Sequence, residues 1–450
     1  MLRETTVKNG KVRGIPGADP RVTIYRGIPF AAPPVGKNRW RAPQPCADWE
    51  GTKDCYTFAP ISVQDQPGTG KWEEDIYMRE FHVDRDIPVS EDCLYLNVWT
   101  PANSVDEKLP VLVWYFGGAF QWGYTAEMEF DGERLARRGV IVVSVNYRLG
   151  VLGFMAHPEI TAEAPEAPGN FGLLDQQAGL RWVHDNIAAF GGDPERITIA
   201  GQSAGGASVL AQMTNEDNYD LIKGAVIFSG MIRIDNPDQD IFAPVDLGTA
   251  EAKGVDFLKY MDVKTLDEAR ELDAFEIRAK YAEYAKDHPR MYPFADGRFM
   301  KEYSLDAFMK GRSAHVPVMS GSTSDEFIIN GVNVVDKSVR EAFDAVGASG
   351  NDSPMYFYSF DPDIPGWDDP GCFHSCDLWF FFESIGKCWR PYVGRHYNLA
   401  RVMCNYFANF IKTGDPNGRD ADGTDMPEWK PYTPEHHEGI AFTSDGAKPF

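Results

Sequence analysis

The chain has 450 residues, of which 43% are hydrophobic and 13% aromatic, enough to fill a sizeable core, and it carries no low-complexity run. A net charge of −23 repels phosphate backbones and anionic membrane surfaces, which argues against nucleic acid and membrane as partners. No stretch is apolar for long enough to span a bilayer, residues 1–17 lack the apolar segment of a secretory leader, and seven irregularly spaced cysteines fit free thiols, so a cytoplasmic protein is expected.

The first hundred residues are rich in proline and turns and open in a hairpin-like pattern. From about Leu109 onward strand-like and helix-like segments alternate. Residues 110–116 are an apolar run ending in glycines, and 139–147 are a β-branched one. Helical spacing follows over 173–190, where Leu173, Leu174, Leu180, Trp182, Val183 and Ile187 recur before Gly191 and Gly192 end the pattern. A strand is predicted over 196–200, a small-residue helix over 203–213 and another strand over 224–229. Residues 249–288 turn charged and helical, an excursion away from the sheet, and 315–320 return to it as a strand. A strand over 355–360 and a helix over 392–410 come last. This alternation predicts an α/β fold with a mostly parallel sheet and crossover helices, and we read residues 1–450 as one domain.

The junction at Gly201-Gln202-Ser203-Ala204-Gly205 carries the chemistry. A serine with glycines two before and two after, at a strand-to-helix turn, is the nucleophile elbow of an α/β hydrolase. The sharp turn lifts the hydroxyl out of the sheet, and only glycines let strand and helix pass so closely. Amides at the helix start can then hold negative charge. The plainer alternative is a glycine turn with Ser203 as a helix cap. A second cluster, Cys372-Phe373-His374-Ser375-Cys376, suggests a metal, but structural zinc sites need a second ligand pair and none matches, so no metal is expected.

Several motifs occur in one order along the chain: Tyr25-Arg26-Gly27-Ile28-Pro29-Phe30-Ala31, Ser90-Glu91-Asp92-Cys93-Leu94-Tyr95-Leu96-Asn97-Val98, Gly169-Asn170-Phe171-Gly172-Leu173-Leu174-Asp175-Gln176, Phe190-Gly191-Gly192-Asp193-Pro194 and Thr413-Gly414-Asp415-Pro416-Asn417. Together with the elbow they resemble the type-B carboxylesterase/lipase family of α/β hydrolases over nearly the whole length. That family includes cholinesterases and the non-catalytic neuroligins, and a bacterial carboxylesterase is the nearest kind.

A serine nucleophile needs a base and an acid that orients the base, in the chain order Ser, Asp or Glu, His. Of the later histidines, His436 and His437 lie in a charged tail and His396 in a helix-like segment. His374 stands in a glycine-containing loop, and its surroundings resemble the family's catalytic-histidine motif. Past the strand at 315–320, Asp325 and Glu326 lie where a carboxylate reaches the active-site edge; the resemblance assigns the acid to Glu326, with Asp325 as the alternative. It also implies an oxyanion hole from the amides of Gly118, Ala119 and Ala204. Phe116 replaces a frequent His or Tyr there, and Ala119 replaces a third glycine, so a β-carbon would narrow the acyl side. Gly117 and Ser229 are expected to support this machinery, Ser229 behind His374. Arg39 and Glu91 match a structural ion pair of the family.

The expectation is a serine-dependent carboxylic ester hydrolase without cofactor, acting through an acyl-enzyme on small to medium esters as a monomer. The alternatives are a catalytically inactive neuroligin-like binding module, which would lack the nucleophile, and an interfacial lipase, which would want an apolar lid. The resemblance puts Val83 where cholinesterases carry a cation-binding Trp, so choline esters are expected to be poor substrates unless Trp72 or Tyr77 compensates. It puts Ser62 where the partner of Cys93 usually stands, so Cys93 is expected to be free, with Cys55 the one near alternative. Between Glu326 and His374 the chain is shorter than in the family. Either the site is unusually open, or a mobile segment is omitted within 333–353; the omission is favoured.

Overall fold

The computed structural model describes residues 1–234, 245–420 and 423–450. Among them, eleven strands form one sheet in the order Gly446–Pro449, Ile440–Thr443, Met355–Asp361, Val318–Thr323, Gly224–Phe228, Gly192–Gln202, Leu109–Tyr115, Ile141–Val145, Tyr95–Thr100, Thr23–Pro29 and Ile15–Pro16. The run from Ile440–Thr443 to Ile141–Val145 is parallel, and the flanking strands are antiparallel. This is the mostly parallel sheet expected from the alternation and the α/β-hydrolase arrangement implied by the resemblance.

The uninterrupted apolar runs follow from burial on both faces. In Leu109–Tyr115, Leu112 and Trp114 enter one core cluster, while Val111, Val113 and Tyr115 enter the other. The helices Phe171–Asn186 and Ala204–Met213 pack on the second face, and Gly394–Thr413 covers the first. The expected strand at 196–200 is the middle of the longer strand Gly192–Gln202, and the one expected at 315–320 is Val318–Thr323. The excursion at 249–288 is helical, as Leu247–Tyr260, Leu266–Glu271 and Ala274–Tyr284.

The favoured omission within 333–353 is wrong. Numbering is continuous, and the amphipathic helix Val334–Ala348 fills the stretch, its start capped by Asn333 Oδ1, which accepts from the amides of Val335 and Asp336. Val335, Val339, Ala342, Phe343 and Val346 face the core, and the helix packs on Val318–Thr323 and Met355–Asp361.

All seven cysteines are free, with Cys93 buried beside Ser62 and not joined to Cys55. Arg39 and Glu91 pair in two parallel contacts of 2.5 and 2.8 Å, and Arg39 also donates to the carbonyls of Ala269 and Leu272, tying the helical excursion to the N-terminal segment. Among the described residues, no helix is long and apolar enough to cross a membrane.

Candidate active site

The residues singled out in the sequence meet at the carboxyl edge of the parallel strands, where ligands bind in open α/β sheets. Ser203 follows Gly192–Gln202 with φ 56° and ψ −121°, a conformation L-residues adopt only under constraint. The constraint is close passage of backbones. A β-carbon on Gly201 would stand 2.3 Å from Gly205 O, and one on Gly205 would stand 2.0 Å from Tyr115 O. The Ser203 amide donates to Phe228 O at 2.9 Å, which fixes the turn to the next strand.

Glu326 lies three residues past Val318–Thr323, and His374 in the loop after Met355–Asp361. Glu326 Oε2 is hydrogen-bonded to His374 Nδ1. Its other oxygen accepts from Ser229 Oγ at 2.7 Å and from the Thr323 amide at 2.9 Å, and the residue is fully buried. Two donors thus aim one carboxylate at one imidazole. Ser229 therefore reaches Glu326 directly, rather than His374. Asp325 points elsewhere: it accepts from the Cys372 amide at 2.8 Å and from Ser324 Oγ, pinning the histidine loop.

His374 and Ser203 line the same cavity, but His374 Nε2 is met by the side-chain amide of Gln202 at 3.1 Å, and no hydrogen bond joins it to the Ser203 hydroxyl. An amide nitrogen donates, so Nε2 presents its lone pair and Nδ1 carries the proton toward Glu326. This is the tautomer a general base requires. The cysteines around His374 do not converge on it. Cys372 Sγ donates to Pro362 O at 2.8 Å, and burial pushes both Cys376 and the neighbouring Asp377 upward, the latter to about 7.

The loop after Leu109–Tyr115 brings Gly117, Gly118 and Ala119 to the same cavity. Gly118, Ala119 and Phe120 all have positive φ, which turns successive amides the same way. Among the described residues, no protein group accepts from the amides of Gly118 or Ala119. The carbonyl of Gly118 turns away, accepting from Gln121 and Trp122 at 2.9 and 3.1 Å.

Two cavities flank Ser203. One, of about 50 Å³, is apolar and lined by Phe120, Leu173, Ala207, Leu210, Ile232 and Met300. The other, of about 300 Å³, holds His374 and the oxyanion loop together with Tyr77, Trp122, His82, Glu127 and Glu129. Ala119 borders the larger cavity and Phe120 the smaller. Val83 and Trp72 do not line the larger cavity, whereas Tyr77 does.

Residues 3–350 and 338–448 match the carboxylesterase family model. The chain belongs to the carboxylesterase family. Ester hydrolysis is the chemistry that this membership carries. Among curated relatives, the chain is 38% identical over 336 residues to fumonisin B1 esterase of Sphingopyxis macrogoltabida, a match that takes in 72% of this chain and 56% of that protein. It is 29% identical to para-nitrobenzyl esterase of Bacillus subtilis over 497 aligned positions, covering 98% of this chain and 94% of that one. An alignment longer than the 450-residue chain contains positions this carboxylesterase lacks, in keeping with its short passage from Glu326 to His374. Among solved structures, a PNB esterase superposes with a TM-score of 0.84 at 27% identity, and carboxylesterase EST55 of Geobacillus stearothermophilus with 0.81 at 28%, each over 100% of this chain and 97% of the other.

The sequence reading did not find Gln202 as the partner of His374, nor His82, Glu127, Glu129 and Trp122 in the cavity wall. Gln202 sat inside the elbow motif at its variable position. The others lie on irregular segments, where no periodicity reports which way a side chain points.

Proposed function

We propose that this protein is a serine-dependent carboxylic ester hydrolase that acts through an acyl-enzyme, without a cofactor, on small to medium esters, with residues 1–450 as one catalytic unit. The observation that carries the reading is the strained Ser203 facing the cavity it shares with His374, whose far nitrogen is held by buried Glu326.

Ser203 Oγ attacks the ester carbonyl while His374 Nε2 takes its proton, after the Gln202 amide gives up that nitrogen. Glu326, steadied by Ser229 and Thr323, stabilises the imidazolium that forms. The amides of Gly118, Ala119 and Ala204 receive the oxyanion. His374 then protonates the departing alcohol, so the alcohol half belongs in the larger cavity that His374 lines. The acyl half takes the apolar pocket of about 50 Å³, which favours modest acyl groups. Water attacks the acyl-enzyme by the same route in reverse. Seven free thiols are those of a reducing compartment and support a cytoplasmic location.

An active-site-directed fluorophosphonate, followed by peptide mapping, tests the reading. The adduct should sit on Ser203 at one per chain, and pre-labelling should abolish turnover of an aryl, acetylated-sugar and hydroxycinnamoyl ester panel. Modification at another residue, or turnover that survives full labelling, contradicts it.

A further inference from the structure

Three tryptophans from distant stretches of the chain meet at the surface, outside the cavity that Ser203 and His374 line. Ring centres of Trp72 and Trp367 lie 6.2 Å apart, and Trp389 stands 5.5 and 6.3 Å from them. Trp367 is 64% exposed and Trp72 42%. Adjoining indoles left open to water form an apolar patch of the kind that marks a binding surface.

The rings are held in place by a cluster of charges beneath them. The Arg79 guanidinium lies 5.6, 5.2 and 5.6 Å from the ring centres of Trp72, Trp367 and Trp389. It donates to the Trp72 carbonyl at 3.1 Å and to the Asp368 carboxylate, which Arg390 grips through contacts of 2.9 and 3.0 Å. Trp389 Nε1 donates to Glu80 at 2.8 Å. The patch is therefore ordered before a ligand reaches it, and little freedom is left to lose on binding.

Charge and area narrow what can lie there. Arg79 already draws on the negative faces of all three rings, which weakens them for a second cation. The net charge of −23 repels nucleic acid and anionic membranes. Partly exposed indoles offer on the order of 300 Å², short of the roughly 800 Å² per partner that a stable protein interface buries. A neutral sugar meets these limits: its ring C–H bonds carry partial positive charge and stack on indole faces, while its hydroxyls donate to carboxylates. Glu73 and Asp369, exposed next to Trp72 and Trp367 in the chain, hold no side-chain partner among the described residues and can accept from such hydroxyls.

The patch backs onto the larger cavity. Trp72 precedes the helix Ile76–Glu80, and Tyr77, Phe81 and His82, on and just after that helix, line the cavity. Trp367 precedes His374 in the loop after Met355–Asp361, and Arg390 lies over the ring of Phe373 at 5.4 Å. We propose that Trp72, Trp367 and Trp389 form a platform for neutral sugar rings, so that the ester cleaved at Ser203 is an acyl group on an oligosaccharide whose further units rest on the platform. The substrate part of this proposal rests on the serine-esterase reading, whereas the platform itself does not.

Calorimetric titration of the intact protein with xylohexaose, cellohexaose and mannohexaose tests the platform without any hydrolysis. At least one should bind, and Trp367→Ala should weaken that binding by about tenfold or more. Phenyl acetate turnover within about twofold of wild type reports that the variant is folded. Trp72→Ala supplies a second variant should Trp367→Ala fail to fold. Binding of none of the three, or binding that both variants leave unchanged, overturns the platform. The substrate part is read from kcat/KM on the acetylated form of the hexaose that binds against its acetylated methyl glycoside. Wild type should favour the hexaose by about tenfold or more, and Trp367→Ala should lose that advantage; equal rates in wild type overturn the substrate assignment. If sugars bind but neither phenyl acetate nor an acetylated sugar is cleaved, the esterase reading falls and the platform stands.

Discussion

Gln202 Nε2 lies 3.1 Å from His374 Nε2, so the residue just before the expected nucleophile occupies the nitrogen that the nucleophile needs. The contact orders the imidazole in the resting site and must yield when substrate arrives. Gln202→Ala should therefore keep kcat/KM for phenyl acetate within about tenfold of wild type, since loss of one hydrogen bond is worth about 0.5–1.5 kcal/mol. A loss of a thousandfold would make Gln202 part of the reaction rather than a resting-state partner.

The two neighbouring acids should separate sharply. Glu326→Gln removes the negative charge from His374 Nδ1 and should lower kcat by about a hundredfold or more, while Asp325→Asn, at a carboxylate that accepts from the Cys372 amide and Ser324 Oγ, should cost less than about tenfold. Steady-state kinetics on phenyl acetate decide it, and the reverse ranking would reassign the acid.

In the proposed reading the acyl half fills the pocket of about 50 Å³ beside Ser203, which then sets acyl length. Across a p-nitrophenyl ester series, kcat/KM should fall by at least about tenfold from butyryl to octanoyl, because forcing methylenes into a filled apolar site costs about 1–3 kcal/mol. A flat profile out to octanoyl would place the acyl chain in the larger cavity instead.

Asp377, fully buried behind the histidine loop, accepts from Tyr358 at 2.7 Å while its Oδ1 has no donor among the described residues. Burial pushes its carboxyl from 3.8 to about 7. A raised folded-state value means that the contribution of Asp377 to stability is intact below about pH 4 and is lost as pH rises through about 7. Asp377→Asn removes that loss. The Tm difference between variant and wild type should thus move in favour of the variant between pH 4 and pH 8, by the equivalent of a few kcal/mol at about 1.4 kcal/mol per unit. A difference independent of pH would show that the group is ionised at little cost.

The sheet was legible because both its faces are buried. Val111, Val113 and Tyr115 on one side and Leu112 and Trp114 on the other make an apolar run that no surface strand would show. The elbow was legible because Gly201 and Gly205 are dictated by backbone contacts closer than a β-carbon permits. Strand ends were less legible: residues 192–195 extend the strand expected over 196–200 at its start, where Gly192 pairs with Leu109, which side-chain pattern does not report. The passage from Glu326 to His374 looked like a missing segment because its comparison was with longer relatives. The helical spacing of Val335, Val339, Ala342, Phe343 and Val346 was in the sequence and signals a continuous, packed helix. The acid pair of the cavity could not be seen, since Glu127 and Glu129 in a loop read as solvated charge until the fold closes over them.

The most direct test of the account is kcat/KM of Ser203→Ala for phenyl acetate, measured at equal concentration of folded protein. The account predicts a fall of about ten-thousandfold or more, with an unchanged circular dichroism spectrum because loss of the hydroxyl leaves the turn in place. Retention of a tenth or more of wild-type activity by the folded variant would contradict it.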